Sequence, residues 1–254
     1  MSARFDCGDP AQRTAGVEAA ITALRNGELA VLPTDTVYGL AADAFSPVAV
    51  AMLFSARGRN RSIPPTVLVG TARAAAALAD DLGAFGQDLI DEFWPGALTL
   101  IFRASPTLLW DLGDTKGTVA LRMPLHSVAL DVLKQTGPLA VSSANRTGHP
   151  AATTADEAQQ QLGEAVSVYL DGGPCTDSIP STILDLTGTI PTLLRAGAIS
   201  VDRLRTVASI IADNEQLPVG AADYKPAAPH PLAGGPRPAE AMTDSPSEEP
   251  PSGG

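Results

Sequence analysis

Two spacings of apolar residues alternate along the chain from Val17 onward, and their alternation sets the expected fold. Val17, Ala20, Ile21 and Leu24 lie three and four apart, the period of one helix face. Asp9-Pro10 supplies a cap and a first-turn proline ahead of them, and Gly27 ends the run. ELAVLP (Glu28 to Pro33) is a continuous apolar run too short for a helix and reads as a buried strand. Ser46-Pro47 opens a second helix through Val50, Leu53 and Phe54, which runs into SARGRNRSIPP, Ser55 to Pro65. PTVLVG reads as a strand and TARAAAALADD behind it as a helix. ALTLIF and TVALRM are further strands, followed by a helix around Val128 to Lys134 and the strand PLAVSS. Thr154 and Glu157 form a capping box for a helix that ends near Gly163. VSVYL, STILDL and TLLRAG are the last strands, and Val201 to Ala212 is the closing helix. Strands interleaved with helices predict an α/β protein with a single twisted, mixed β-sheet flanked by helices.

The pattern stops after residue 213, and composition shifts sharply near Pro218. Residues 214–254 are rich in Pro, Gly, Ala and Ser and carry no apolar period, so they are expected to form a disordered tail behind a domain spanning 1–213. No apolar run approaches the roughly 20 residues that cross a bilayer, and the first residues contain no apolar signal segment. Cys7 and Cys175 match no metal or redox spacing, and His126, His149 and His230 are scattered. A cytoplasmic protein that makes no use of the membrane is expected. Asp and Glu number 28 against 17 Lys and Arg, a formal net charge of -11. That balance argues against a broad nucleic-acid face and leaves room for one small basic pocket. Nearly all of the cations are Arg, whose planar fork suits phosphate and carboxylate.

Chemistry is concentrated where apolar runs end. Thr34, Asp35, Thr36 and Tyr38 follow one strand, and Ser142, Ser143, Asn145 and Thr147 follow another. Ser181 and Thr182 open a strand, and Arg195 closes one. Loops at strand ends are where open α/β sheets bind ligands, and hydroxyls, amides and backbone N–H groups there suit phosphate or an amino acid. Each segment alone has a plainer reading. PTDT is a turn with side-chain bonds, SSAN is a strand exit, and Asp35 is a turn cap rather than a metal ligand. By itself Arg122 reads as an exposed, salt-bridged strand residue, FWPG as core packing and a turn, and SARGRNRSIPP as a solvated loop. The chain contains no G-x-x-x-x-G-K-[ST], no G-x-G-x-x-G and no G-x-S-x-G, so the common nucleotide and hydrolase signatures are absent.

Taken together and in order, these segments carry a resemblance. LPTDTVYGLAADAF, Arg57-Gly58-Arg59 with its prolines, FWPGALTL, TVALRMP, Ser143-x-Asn145, STILD and LLRAG resemble the YrdC family of threonylcarbamoyl-AMP synthases. The resemblance covers about Val17 to Gly197. It implies a YrdC-like sheet with a concave basic substrate cavity. It also implies synthesis of threonylcarbamoyl-AMP and pyrophosphate from L-threonine, bicarbonate (or CO2) and ATP with its Mg2+, the first step of tRNA threonylcarbamoyladenosine formation. Residue by residue, Thr36, Arg122 and Ser181 would contact L-threonine, while Arg59, Thr118, Ser143, Asn145 and Arg195 would contact ATP. Arg57 and Arg59 would stabilise phosphate charge, by positioning and electrostatics and without a nucleophile. Thr118 and Arg122 would share one strand face by the two-residue period. Proteins that transfer the product to tRNA would be the downstream partners, with weak RNA contact as a further one. An RNA-binding module and a carbamoyl-transfer domain of the hydrogenase-maturation type are the alternatives. Two departures stand out: Arg57 replaces the family's usual Lys, and the Pro-rich tail stands where longer members have an extra C-terminal domain.

Overall fold

The computed structural model describes residues 2–175 and 178–213; the segment expected to be a tail lies outside the described residues. Helix α1 (Pro10–Arg25) begins where Asp9 accepts hydrogen bonds from the N–H groups of Ala11 and Gln12, both at 2.9 Å. Helix α2 (Pro47–Arg57) begins at Ser46, whose hydroxyl accepts from Ala49 N, and stops at Gly58, whose φ of 64° is the left-handed conformation that glycine adopts without strain. That turn sends the chain straight from Arg57 to Arg59.

The described strands form one eleven-stranded mixed sheet. In chain order they are β1 (Ala3–Asp6), β2 (Ala30–Leu32), β3 (Gly39–Asp43), β4 (Thr66–Leu68), β5 (Leu98–Arg103), β6 (Thr118–Arg122), β7 (Leu139–Ser143), β8 (Val168–Asp171), β9 (Thr182–Asp185), β10 (Thr192–Arg195) and β11 (Ala212–Asp213). Their order across the sheet is β1-β8-β2-β3-β7-β4-β6-β5-β9-β10-β11. The remaining helices are α3 (Ala72–Leu78), α4 (Gly83–Phe93), α5 (Ser127–Thr136), α6 (Ala155–Leu162) and α7 (Val201–Arg205).

Alternation along the central strands assigns the helices to two faces. Ala30 and Leu32 pack with α1 and α5 through Ile21, Leu24, Val128 and Val132, whereas Val31 between them packs with α2 and α6 through Leu53, Ala155 and Leu162. A third cluster fills the β4–β9 half of the sheet, where Leu98, Leu100, Phe102 and Leu121 meet Leu89, Ile90 and Phe93 of α4. Fully burying side chains of this size stabilises the fold by about 1.5–3 kcal/mol each.

Five segments depart from the sequence reading, the first being β1, which the sequence reading did not contain and which pairs in parallel with β8. The closing helix is short: α7 ends at Arg205, and Ala212 pairs with Thr192 of β10 instead. Thr206 turns its hydroxyl back to Arg203 O, and β-branched Val207 follows, both unhelpful to a continuing helix. Helix α4 escaped notice because Leu82 provides no side-chain cap, although Leu89, Ile90 and Phe93 hold the helical spacing. Strand β3 is built from Gly, Leu, Ala and Asp with no β-branched residue, and exists because β2 and β7 pair it on both sides. The capping box is shifted: Thr154 Oγ1 accepts from Glu157 N, but the Glu157 carboxylate accepts from Thr153 N at 2.7 Å rather than from Thr154.

Candidate active site

The first group of polar side chains is assembled on Arg122, the last residue of β6. It is 6% exposed, not the exposed strand residue that its alternation suggested. Its Nε donates to Gly96 O at 2.9 Å, Nη1 to Thr36 Oγ1 at 2.9 Å and Nη2 to Asp35 Oδ1 at 2.7 Å. Burial lowers its proton affinity, and the Asp35 carboxylate opposes that effect. The same Asp35 oxygen accepts from Leu125 N at 2.8 Å, so one carboxylate ties the 34–36 loop both to β6 and to the segment beyond it. Next to Leu125, burial lowers the pKa of His126, whose Nδ1 is enclosed without a hydrogen-bond partner among the described residues.

Within that loop the hydroxyls are interlocked. Thr34 Oγ1 donates to Val37 O at 2.6 Å, receives Thr36 N at 3.2 Å and lies 3.1 Å from Thr36 Oγ1. Tyr38 closes the loop from below: its hydroxyl donates to Gly173 O at 2.6 Å and accepts from Gly172 N at 3.1 Å. Burial, with Asp171 adding to it, pushes the Tyr38 phenol above its usual range. Cys175 points its thiol at Thr34 O, 3.7 Å away, and burial pushes that thiol up to about 11.

A second group surrounds the arginine stretch. Arg57, the last residue of α2, is 5% exposed and drawn inward rather than lying in a solvated loop. Its Nε donates to Asn145 O at 2.9 Å, Nη2 to Asn145 Oδ1 at 3.2 Å, and Nη1 to Ser142 Oγ. Asn145 in turn donates to Arg146 O and His149 O, which fixes the turn after β7. Arg59 Nη1 reaches the same Ser142 Oγ at 3.3 Å. Arg61 pairs with Asp111 and lies over the Phe54 ring, as a half-exposed side chain outside the group.

The third group joins β5, β9 and β10. Ser181 Oγ lies 2.8 Å from Thr99 Oγ1 and accepts from Arg195 Nη2 at 3.0 Å, while Arg195 Nε and Nη2 both donate to Ser181 O. Gly197 is required here, because a Cβ would collide with Pro180 O and the Ser181 backbone. Sheet register relates the groups: Gly39, just beyond the Thr36 loop, pairs with Ser143, β4 joins β7 to β6, and β5 lies between β6 and β9. Thr118 stands at the start of β6, opposite Arg103, with its hydroxyl turned back to Thr115 O at 2.7 Å.

Sequence reasoning therefore named Thr36 and Arg122, Arg57 and Asn145, and Ser181 and Arg195, each pair in direct contact here. It missed three supporting residues. Thr99 was legible as the one hydroxyl inside ALTLIF, since a buried polar residue in an apolar strand needs a partner. Asp35 was read as a turn cap, and Gly96 acts through a carbonyl that every residue possesses.

The family profile of Sua5, YciO and YrdC, described as "Telomere recombination", matches residues 22–197. A Mycobacterium leprae protein provisionally named threonylcarbamoyl-AMP synthase is 52% identical over 211 residues, covering 83% of this chain and 96% of that one. The threonylcarbamoyl-AMP synthase of Bacillus subtilis is 37% identical over 191 residues, 74% of this chain. This chain spans 55% of that longer protein. Among solved structures, Pyrococcus abyssi Sua5 complexed with L-threonine superimposes with a TM-score of 0.77 at 30% identity, over 84% of this chain and 62% of that one. On the profile match over residues 22–197 and a relative 52% identical over 83% of its length, the chain belongs to the Sua5, YciO and YrdC family.

Proposed function

We propose that this protein is a threonylcarbamoyl-AMP synthase. The L-threonine amine and bicarbonate (or CO2) give a carbamate with loss of water in the bicarbonate case. A carbamate oxygen then attacks the α-phosphorus of ATP, pyrophosphate leaves, and threonylcarbamoyl-AMP is formed. The observation that carries the reading is the Arg122 centre: a buried guanidinium held between Thr36 and Asp35, in a family with a member solved with L-threonine. A balanced buried charge pair with adjoining hydroxyls suits an amino acid, whose own charges are balanced.

In this reading Thr36, Arg122 and Ser181 hold L-threonine, and Arg59, Thr118, Ser143, Asn145 and Arg195 hold ATP. Mg2+ enters as the ATP complex, with phosphate oxygens among its ligands. Arg57 gives its described bonds to Ser142 and Asn145, so it shapes the wall on which Arg59 meets the phosphates. Chemistry of this kind needs alignment and charge neutralisation more than a protein nucleophile. The labile product would pass to proteins that transfer the threonylcarbamoyl group to tRNA. The test is pyrophosphate release from ATP, with L-threonine and bicarbonate each omitted in turn. Release is expected only with both present, and Arg59→Ala is expected to lower it about a hundredfold, the scale of losing one charge-stabilising donor. Release that ignores threonine would sink the reading.

A further inference from the structure

Proton counting in the 34–36 loop decides what Thr36 can offer. A hydroxyl has one proton to donate and two lone pairs to accept with. Thr34 spends its proton on Val37 O, at 2.6 Å the shortest of its contacts. Its lone pairs then face Thr36 N at 3.2 Å and Thr36 Oγ1 at 3.1 Å. Because the proton of Thr34 is committed, the bond between the two hydroxyls must use the proton of Thr36. Arg122 Nη1 has only protons to give, so it occupies one lone pair of Thr36 Oγ1 at 2.9 Å. What Thr36 retains is one lone pair and no proton.

We infer that Thr34 is a positioning residue that fixes the Thr36 hydroxyl as a hydrogen-bond acceptor, and that Thr36 therefore faces the α-amine of the substrate rather than its carboxylate. The inference rests on the proposed function and assigns one end of its substrate. A carboxylate carries only lone pairs and would meet a lone pair at Thr36. An amine carries N–H groups, and its carboxylate is left to a donor such as Arg122. Thr34 is 6% exposed and Thr36 1%, so neither hydroxyl has bulk water to reorient it, and a mismatched contact there is costly. The amine that Thr36 holds is also the group that must be carboxylated, so fixing its N–H direction fixes where its lone pair points.

The test compares binding of L-threonine with binding of 3-hydroxybutanoate, which lacks only the amine, by titration calorimetry on the full chain. Wild-type protein is expected to prefer L-threonine by at least tenfold. Thr34→Val, which keeps the shape and removes the hydroxyl, frees the Thr36 proton and is expected to shrink that preference to about threefold or less. Its KM for L-threonine should rise about tenfold while its KM for ATP holds. Thr34→Ser should restore the preference. A wild-type ratio near one overturns the inference without any variant, as does an unchanged ratio in Thr34→Val or a Thr34→Ser no better than Thr34→Val. A wild-type protein with no threonine-dependent pyrophosphate release overturns the proposed function itself, and this inference with it.

Discussion

Arg57 and Arg122 are buried to nearly the same degree, 5% and 6% exposed, yet they are held by different chemistry. Arg122 is seated on a carboxylate, with a hydroxyl and a carbonyl completing its fork. The described bonds of Arg57 go to a hydroxyl, a side-chain amide and a backbone carbonyl. The carboxylate opposes the charge of Arg122, whereas the described partners of Arg57 are neutral oxygens that fix the direction of its fork. The first arrangement ties the 34–36 loop to β6, and the second ties the turn after β7 to the end of α2. Both side chains also perform the same mechanical task, since each reaches across more than eighty residues of sequence to pin a loop that follows a strand.

The contrast can be broken at its charged end first. Asp35→Ala leaves a buried guanidinium without its carboxylate and is expected to cost about 3 kcal/mol. Calorimetry should then show Tm falling by about 6–12 °C, at about 2–4 °C per kcal/mol for a domain of this size. A fall of only a degree or two would place both arginines in one class. At the neutral end, Asn145→Ala removes one acceptor from Arg57 and the two bonds to Arg146 O and His149 O. The expected loss is about 2 kcal/mol, read from denaturant titration with the m-value unchanged. A loss larger than that of Asp35→Ala would reverse the comparison.

The gentlest measurement perturbs no residue. Cys175 adjoins the Thr34 carbonyl, and its thiol is pushed from 9.0 up to about 11 by burial, so the thiolate is scarce at neutral pH. Iodoacetamide labelling at pH 8 is expected to be about a hundredfold slower than in the unfolded chain, by the factor of ten per pKa unit, and to climb with pH until about 11. Cys7 is raised to about 11 as well, so labelling must be followed by peptide mass spectrometry. Labelling at the unfolded rate would show that the 34–36 loop is not packed as described.

Much of the fold was legible because its signals are local. Asp9-Pro10 and Ser46-Pro47 start helices where a side-chain acceptor and a missing N–H belong, and Gly27 and Gly58 stop them with positive φ. Helix α4 was hidden because its start has no such marker, and β3 because its residues carry no preference of their own. The candidate site was legible as a set of residues and illegible as a set of contacts. Nothing in TVALRMP says that Arg122 turns inward, because two-residue alternation assigns a face without saying which face is covered. The direction of a hydroxyl proton was further out of reach, since it follows from three neighbours whose distances only the fold fixes.

By itself the sequence determined most of the helices and strands, though not α4, β1, β3 or the end of α7, that the sheet is mixed, and which hydroxyls, amides and arginines stand at strand ends. These follow from spacing, capping and turn chemistry, which act over a few residues. The tertiary structure alone decided that Asp35 neutralises Arg122, that Arg57 serves Asn145 and Ser142, and that Thr34 commits the proton of Thr36. Those pairings join residues brought together by sheet order and loop packing, and in a buried site the energy of a polar group depends on its partner more than on its identity.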